Sequence, residues 1–209
     1  MPIAASGTMS DPVASTPLAE DRAAGETALL VIDMLSDWSF SDGDTLLAEA
    51  QRIAPAIEAL ARRCREVGIP VVFCNDNHGR WRSDLREVVA TAKSAGGPGS
   101  DIACRLEPQR TDYIVLKPKH SGFHATPLDL LLRHLGVKRL LLTGVSSDQC
   151  VLYTAADAKM NDYDISVPAD CVATLTAHRQ EAAMRHFADV LGAGTQPSAE
   201  LQLPPGTAR

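Results

Sequence analysis

Leu140-Leu141-Leu142-Thr143-Gly144-Val145-Ser146-Ser147-Asp148-Gln149-Cys150-Val151 reads as a buried strand, a tight polar turn and the start of a helix. A cysteine placed there stands at the carboxyl edge of a sheet and the positive end of a helix dipole. Both positions favour thiolate, the nucleophilic form of the side chain.

Strand and helix signals alternate on either side of this stretch. Residues 27–32 (Thr-Ala-Leu-Leu-Val-Ile) form a continuous apolar run, as a strand covered on both faces requires. Further strands are expected at 69–74, 113–116, 139–142 and 165–167. Helical spacing appears at 45–67, 83–92, 127–135, 149–161 and 177–191, with Gly68 and Gly136 as stops. Residues 95–99, rich in glycine, read as a loop. Repeated β–α units predict an α/β fold, a three-layer α/β/α sandwich with a mostly parallel, Rossmann-like central sheet. The domain is expected over residues 27–192. Residues 1–26 read as a flexible N-terminal leader that partly wraps a neighbouring subunit, and residues 193–209 as a tail of similar character.

Composition narrows the function. A net charge of -6 and scattered basic residues argue against a nucleic-acid partner, and the densest group, Arg62, Arg63 and Arg65, reads as a solvated helix face. Cys64, Cys74, Cys104, Cys150 and Cys171 are odd in number and lack metal-ligand spacing. That fits packed thiols in a reducing compartment. No signal-peptide pattern and no bilayer-length apolar run occur, so a cytoplasmic protein without a membrane partner is expected.

In open parallel sheets, sites form beyond the carboxyl ends of strands. Asp33, Lys117 and Cys150 fall at three such ends. Singly, they read as a turn former, a solvated lysine and a packed small residue. Together, a carboxylate, an ammonium and a thiol suggest nucleophilic catalysis on a small-molecule substrate.

Three segments carry a resemblance: Leu30-Val31-Ile32-Asp33-Met34, Lys117-Pro118-Lys119-His120-Ser121-Gly122-Phe123, and Leu142 through Val151. In this order they resemble the isochorismatase-like cysteine hydrolase superfamily, which includes nicotinamidases, N-carbamoylsarcosine amidase and ureidoacrylate amidohydrolases. The resemblance implies an Asp33–Lys117–Cys150 triad, a cis peptide at Val145–Ser146, and an oxyanion site made by the amides of Ser146 and Cys150. It implies that Asp33 deprotonates Cys150, passes the proton to the departing amine, and serves again as base when water hydrolyses the thioester. It also implies a homodimer or homotetramer.

Nicotinamidases of that superfamily bind a metal through an Asp-x-His pair and a later histidine. Asp76-x-His78 is present, but no histidine occurs between His78 and His120. Two ligands make a poor site, so no metal, no cofactor and no nicotinamidase activity are expected. The substrate pocket is expected to draw on Trp38, Asn75, Asp76, His78, Trp81, Phe123, Ser147 and Gln149. Arg80 and Arg82 are placed to shape it, while His120 and His124 read as substrate contacts or exposed loop residues. Leu35 and Ser36 stand where relatives often carry two amides, so a more apolar floor is expected. The leading reading is cleavage of a small amide, ureido or carbamoyl C–N bond through a Cys150 thioester. Two others stay open: an isochorismatase-type vinyl ether hydrolase, and a catalytically silent thiol-sensing or interaction protein on the same scaffold.

Overall fold

A computed structural model describes residues 26–77 and 85–204. Residues 1–25 and 78–84, the latter including His78, Arg80, Trp81 and Arg82, lie outside the described residues.

The strands are β1 (Thr27–Ile32), β2 (Val71–Asp76), β3 (Tyr113–Lys117), β4 (Arg139–Val145), β5 (Asp164–Ser166) and the two-residue β6 (Val172–Ala173). They form one sheet in the order β3-β2-β1-β4-β5, and β6 pairs with the end of β4. Every pairing is parallel. β1 is therefore interior, with Val31 beside Phe73 of β2 and Thr143 of β4.

Helices cover both faces, which is why β1 is buried at every position and apolar from Ala28 to Ile32. On one face, Leu29 and Val31 join α1 (Gly43–Glu66), α2 (Leu85–Ser94) and α3 (Gly97–Arg105) in a single core. On the other, Ala28, Leu30 and Ile32 join α4 (Leu128–His134), α5 (Leu152–Met160) and α6 (Ala177–Arg185). Alternate residues of one strand thus feed two cores. α1 presents Leu46, Ala50, Ile53, Ile57, Leu60 and Cys64 to its core, and each large side chain buried there is worth roughly 1.5–3 kcal/mol. No described helix is long and apolar enough to cross a membrane.

The structure departs from the sequence reading in several places. The glycine-rich stretch expected as a loop starts α3, where Pro98 suits the first turn and buried Ile102 and Ala103 offset the poor helix propensity of glycine. β6 was not legible because two residues carry no periodicity. The helix expected from residue 149 begins earlier, as a π-helical turn at Ser147–Val151, before α5. The expected flexible tail is packed as far as residue 204. Gly194 bridges to Ser166 of β5, and Asp170 accepts hydrogen bonds from Ser198 N and Oγ, both at 2.7 Å. Arg63 is not a solvated residue, since its guanidinium donates to the carbonyls of Ser198 (2.7 Å) and Leu201 (2.8 Å). These partners are 135 and 138 residues away in sequence, too far for any local pattern to reveal.

Gly144 lets β4 lie against the end of β1. Its φ is +110°, and a Cβ there would stand 2.0 Å from the carbonyl oxygen of Ile32. Gly144→Ala is expected to destabilise the protein by at least about 3 kcal/mol, since strain and collision add. Urea denaturation of the two proteins measures this, and a loss below about 1 kcal/mol would contradict the close-approach argument.

Candidate active site

Three strand ends deliver three reactive side chains to one place. Asp33 follows β1 and has φ +52°, a left-handed conformation that Asp adopts more readily than most residues. Its N–H donates to the Cys74 carbonyl at 3.1 Å, and its Oδ1 accepts from the Asp76 N–H at 2.7 Å. The turn after β1 is thus tied to the end of β2. Lys117, the last residue of β3, has no exposed surface. Its Nζ lies 2.8 Å from Asp33 Oδ2 and 3.5 Å from Cys150 Sγ. It also donates to the Lys119 carbonyl at 3.2 Å. Cys150 sits in the π-helical turn, where the N–H groups of Gln149 and Val151 both donate to the Ser146 carbonyl at 3.1 Å. The Val145–Ser146 peptide bond before that turn is cis.

The electrostatics follow from burial and sign. Burial works against the charge on Lys117, but Asp33, Cys150 and Asp76 outweigh it and hold the ammonium protonated well above the ordinary lysine range. For Cys150, burial is the largest influence and the Asp33 carboxylate the next. Both push the thiol up, against the pull of Lys117. The position of Cys150 at a helix start suggests a thiolate, and the structure reverses that: desolvation and a neighbouring anion outweigh a partial dipole charge. Burial and the Asp33 carboxylate therefore favour the protonated thiol at rest.

A cavity of about 310 Å³ opens beside these groups. Trp38, Asn75, Asp76, Val145, Ser146 and Gln149 line it, as do Asp33 and Cys150. Asn75 also braces the β1 loop: its Oδ1 accepts from Leu35 N–H at 3.1 Å and its Nδ2 donates to the Leu35 carbonyl at 2.7 Å. Phe40 and Leu46 line the cavity as well. The sequence does not single them out, since Leu46 has ordinary helical-core spacing and Phe40 stands in an unpatterned loop. Two expected pocket residues point elsewhere. Phe123 packs into the core on the α4–α6 face, its ring 5.8 Å from Tyr163. Ser147 is fully buried, with Oγ donating to Gln180 Oε1 at 2.7 Å. His120 lies at the site: it lines the cavity, with Nδ1 3.6 Å from Cys150 Sγ.

Asp76 is the described half of the Asp76-x-His78 pair. Its Oδ2 is 3.7 Å from Lys117 Nζ, and an ammonium so close opposes a second cation there. Among the described residues, no three His, Cys, Asp or Glu side chains come together to hold a metal ion. No step below uses a metal.

Opposing influences on one thiol make a clear prediction. Asp33→Asn removes an anion that raises the Cys150 pKa, so thiolate forms at lower pH. Lys117→Met removes the cation that lowers it, so thiolate forms at higher pH. Iodoacetamide alkylation of Cys150 against pH reads both shifts, in a Cys104→Ser background because Cys104 is exposed. Profiles that do not move would assign the thiol's ionisation to the helix end instead.

Comparison with known proteins places this geometry. The isochorismatase domain profile matches residues 27–197. The chain is 34% identical over 166 residues to an uncharacterized isochorismatase family protein of Bacillus subtilis (strain 168), covering 79% of this chain and 91% of that one. It is 30% identical over 199 residues to a ureidoacrylate amidohydrolase of Methylorubrum extorquens (strain DSM 6343 / CIP 106787 / DM4), covering 78% and 75%. Among solved structures, N-carbamoylsarcosine amidase from Thermoplasma acidophilum superimposes with a TM-score of 0.64 at 29% identity, over 84% of this chain and 98% of that one. The Staphylococcus aureus nicotinamidase gives 0.62 at 29% identity, over 81% and 96%. With a profile spanning most of the sequence and the same α/β architecture in its structural neighbours, the chain belongs to the isochorismatase family of hydrolases.

Proposed function

We propose that the protein hydrolyses a C–N bond of a small amide, ureido or carbamoyl substrate through a thioester on Cys150. The observation that carries this reading is the contact set at the cavity wall: Cys150 Sγ beside Lys117 Nζ at 3.5 Å, with Lys117 paired to Asp33 at 2.8 Å. A thiol that keeps its proton until a base removes it needs that base within reach, and Asp33 shares the Lys117 ammonium with it.

Asp33 takes the thiol proton as the sulfur attacks the carbonyl carbon. Lys117 offsets the new negative charge on sulfur while Asp33 becomes neutral. The oxyanion is received by the backbone N–H groups of Ser146 and Cys150, at the start of a helical segment where donors lack intrahelical partners. Asp33 then gives its proton to the leaving nitrogen, the C–N bond breaks, and water hydrolyses the thioester.

The cavity, about 310 Å³, is at the small end of the usual ligand range of roughly 300–1,000 Å³. That suits a compact substrate, with Trp38, Phe40 and Leu46 facing its apolar part. Relatives named for ureidoacrylate and N-carbamoylsarcosine support the C–N class. A thiol held against a base favours this class over vinyl ether hydrolysis, which relies mainly on the aspartate. Five unpaired cysteines suit a reducing cytoplasm.

Intact-protein mass spectrometry during turnover of a panel of small amides and ureides tests the reading. A transient acyl adduct on Cys150 is expected. In Cys150→Ala the adduct vanishes and turnover falls at least about 10⁴-fold. A reactive Cys150 with no adduct and no turnover across the panel would point to a thiol-sensing protein instead.

A further inference from the structure

Trp38 lines the cavity although it is only 5% exposed, and its backbone is fixed at several points. Its φ is +58°. Its N–H donates to Ser36 Oγ at 3.0 Å, and its carbonyl accepts from the Phe40 N–H at 3.0 Å. A Cβ on Gly43, the first residue of α1, would collide with that carbonyl oxygen. The main chain of Trp38 is therefore pinned against α1, and only its ring has freedom to move.

The ring reaches across to α3. A Cβ on Gly99 would stand 2.7 Å from Trp38 Cδ1 and 3.1 Å from Nε1, well inside the roughly 3.5–4.0 Å at which carbon atoms pack. Gly99 is buried within α3 and its φ lies outside the left-handed region, so alanine would suit the helix better. What glycine contributes there is the absence of a side chain. The indole Nε1 is buried without a hydrogen-bond partner among the described residues. An unpaired buried donor is unfavourable, so the fit of the ring to the notch, not its polar atom, accounts for its seat.

We infer that Gly99 is a specificity-determining positioning residue: the notch it leaves in α3 seats the Trp38 indole and so sets how long an apolar arm the substrate can carry. This deepens the Cys150 reading proposed above and rests on it for the reaction served. Trp38 belongs to the packed α1–α3 core and also borders the open cavity. A packed interior yields little, so an indole pushed off residue 99 moves into the cavity. A methyl group there would displace it by about 1 Å, the shortfall from an ordinary carbon contact. In a cavity of about 310 Å³ that removes room on the order of one methylene, which in an apolar pocket changes discrimination roughly 10–200-fold. The glycines that hide α3 from a reading of the sequence thus include one that shapes the site.

Alkylation of Cys150 measures the room beside the sulfur without requiring turnover. Rates are taken with iodoacetamide and with N-hexyl iodoacetamide, in the Cys104→Ser background, by mass spectrometry of the Cys150 peptide. The ratio of the long to the short reagent cancels any change in thiol reactivity. In Gly99→Ala this ratio is expected to fall at least about tenfold. Trp38→Leu, which shortens the wall, should raise it. Gly99→Ala added to Trp38→Leu should alter the ratio less than about twofold, because the methyl acts through the ring. An unchanged ratio in Gly99→Ala, or an equal fall when the indole is absent, overturns the inference. Should Gly99→Ala fail to fold, Trp38→Leu decides alone, and an unchanged ratio there overturns it too. A missing acyl adduct on Cys150 during turnover is a separate failure: it removes the thioester reading and leaves the length discrimination standing.

Discussion

A lysine ammonium with no exposed surface is the constraint around which this molecule is arranged. Lys117 could not be charged at that depth without partners, since desolvation alone favours the neutral amine. Asp33 at 2.8 Å and Asp76 at 3.7 Å, with Cys150 at 3.5 Å, supply what water would otherwise supply. Removing one member of such a pair leaves an uncompensated charge, a loss of about 3–5 kcal/mol. The pair therefore links stability and chemistry: the cation that neutralises Asp33 also limits how far burial can raise the thiol.

The sheet makes that arrangement possible. β2 and β3 run parallel with Asp76 beside Lys117 in register, and β1 and β4 are parallel with Ile32 beside Gly144. Every strand therefore ends on the same rim, and residues just past those ends converge although they are far apart in sequence. Fine placement then falls to local devices. The left-handed Asp33, the paired hydrogen bonds of Asn75 to Leu35, and the π-helical turn carrying Cys150 each set one side chain. The same turn is held from behind, where Thr174 Oγ1 donates to Asp148 Oδ1 at 2.5 Å and Arg179 pairs with the other oxygen.

Parts of this were legible in the residues and parts were not. β1 and β4 announce themselves because a strand buried on both faces carries a continuous apolar run, and α1 because its apolar stripe repeats every three to four residues. α3 and the packed tail escape such reading. Gly97 and Gly99 mask a helix that tertiary burial stabilises, and the hold of Arg63 on residues 198 and 201 spans most of the chain. Phe123 and Ser147 flank site residues in sequence, yet their side chains serve the core and α6. Sequence neighbours on a strand or turn alternate in direction, so adjacency to a functional residue does not mean sharing its pocket.

The amino-acid sequence by itself determined the parallel α/β architecture and the presence of a carboxylate, an ammonium and a thiol at three strand ends, because periodicity and residue chemistry are local properties. Only the tertiary structure decided the ionisation of Cys150, the approach of His120 to its sulfur, and the walls of Phe40 and Leu46. Burial and distance set each of those. A thiol at a helix start becomes a resting, protonated thiol once desolvation and a neighbouring carboxylate are counted, and both exist only after the chain has folded.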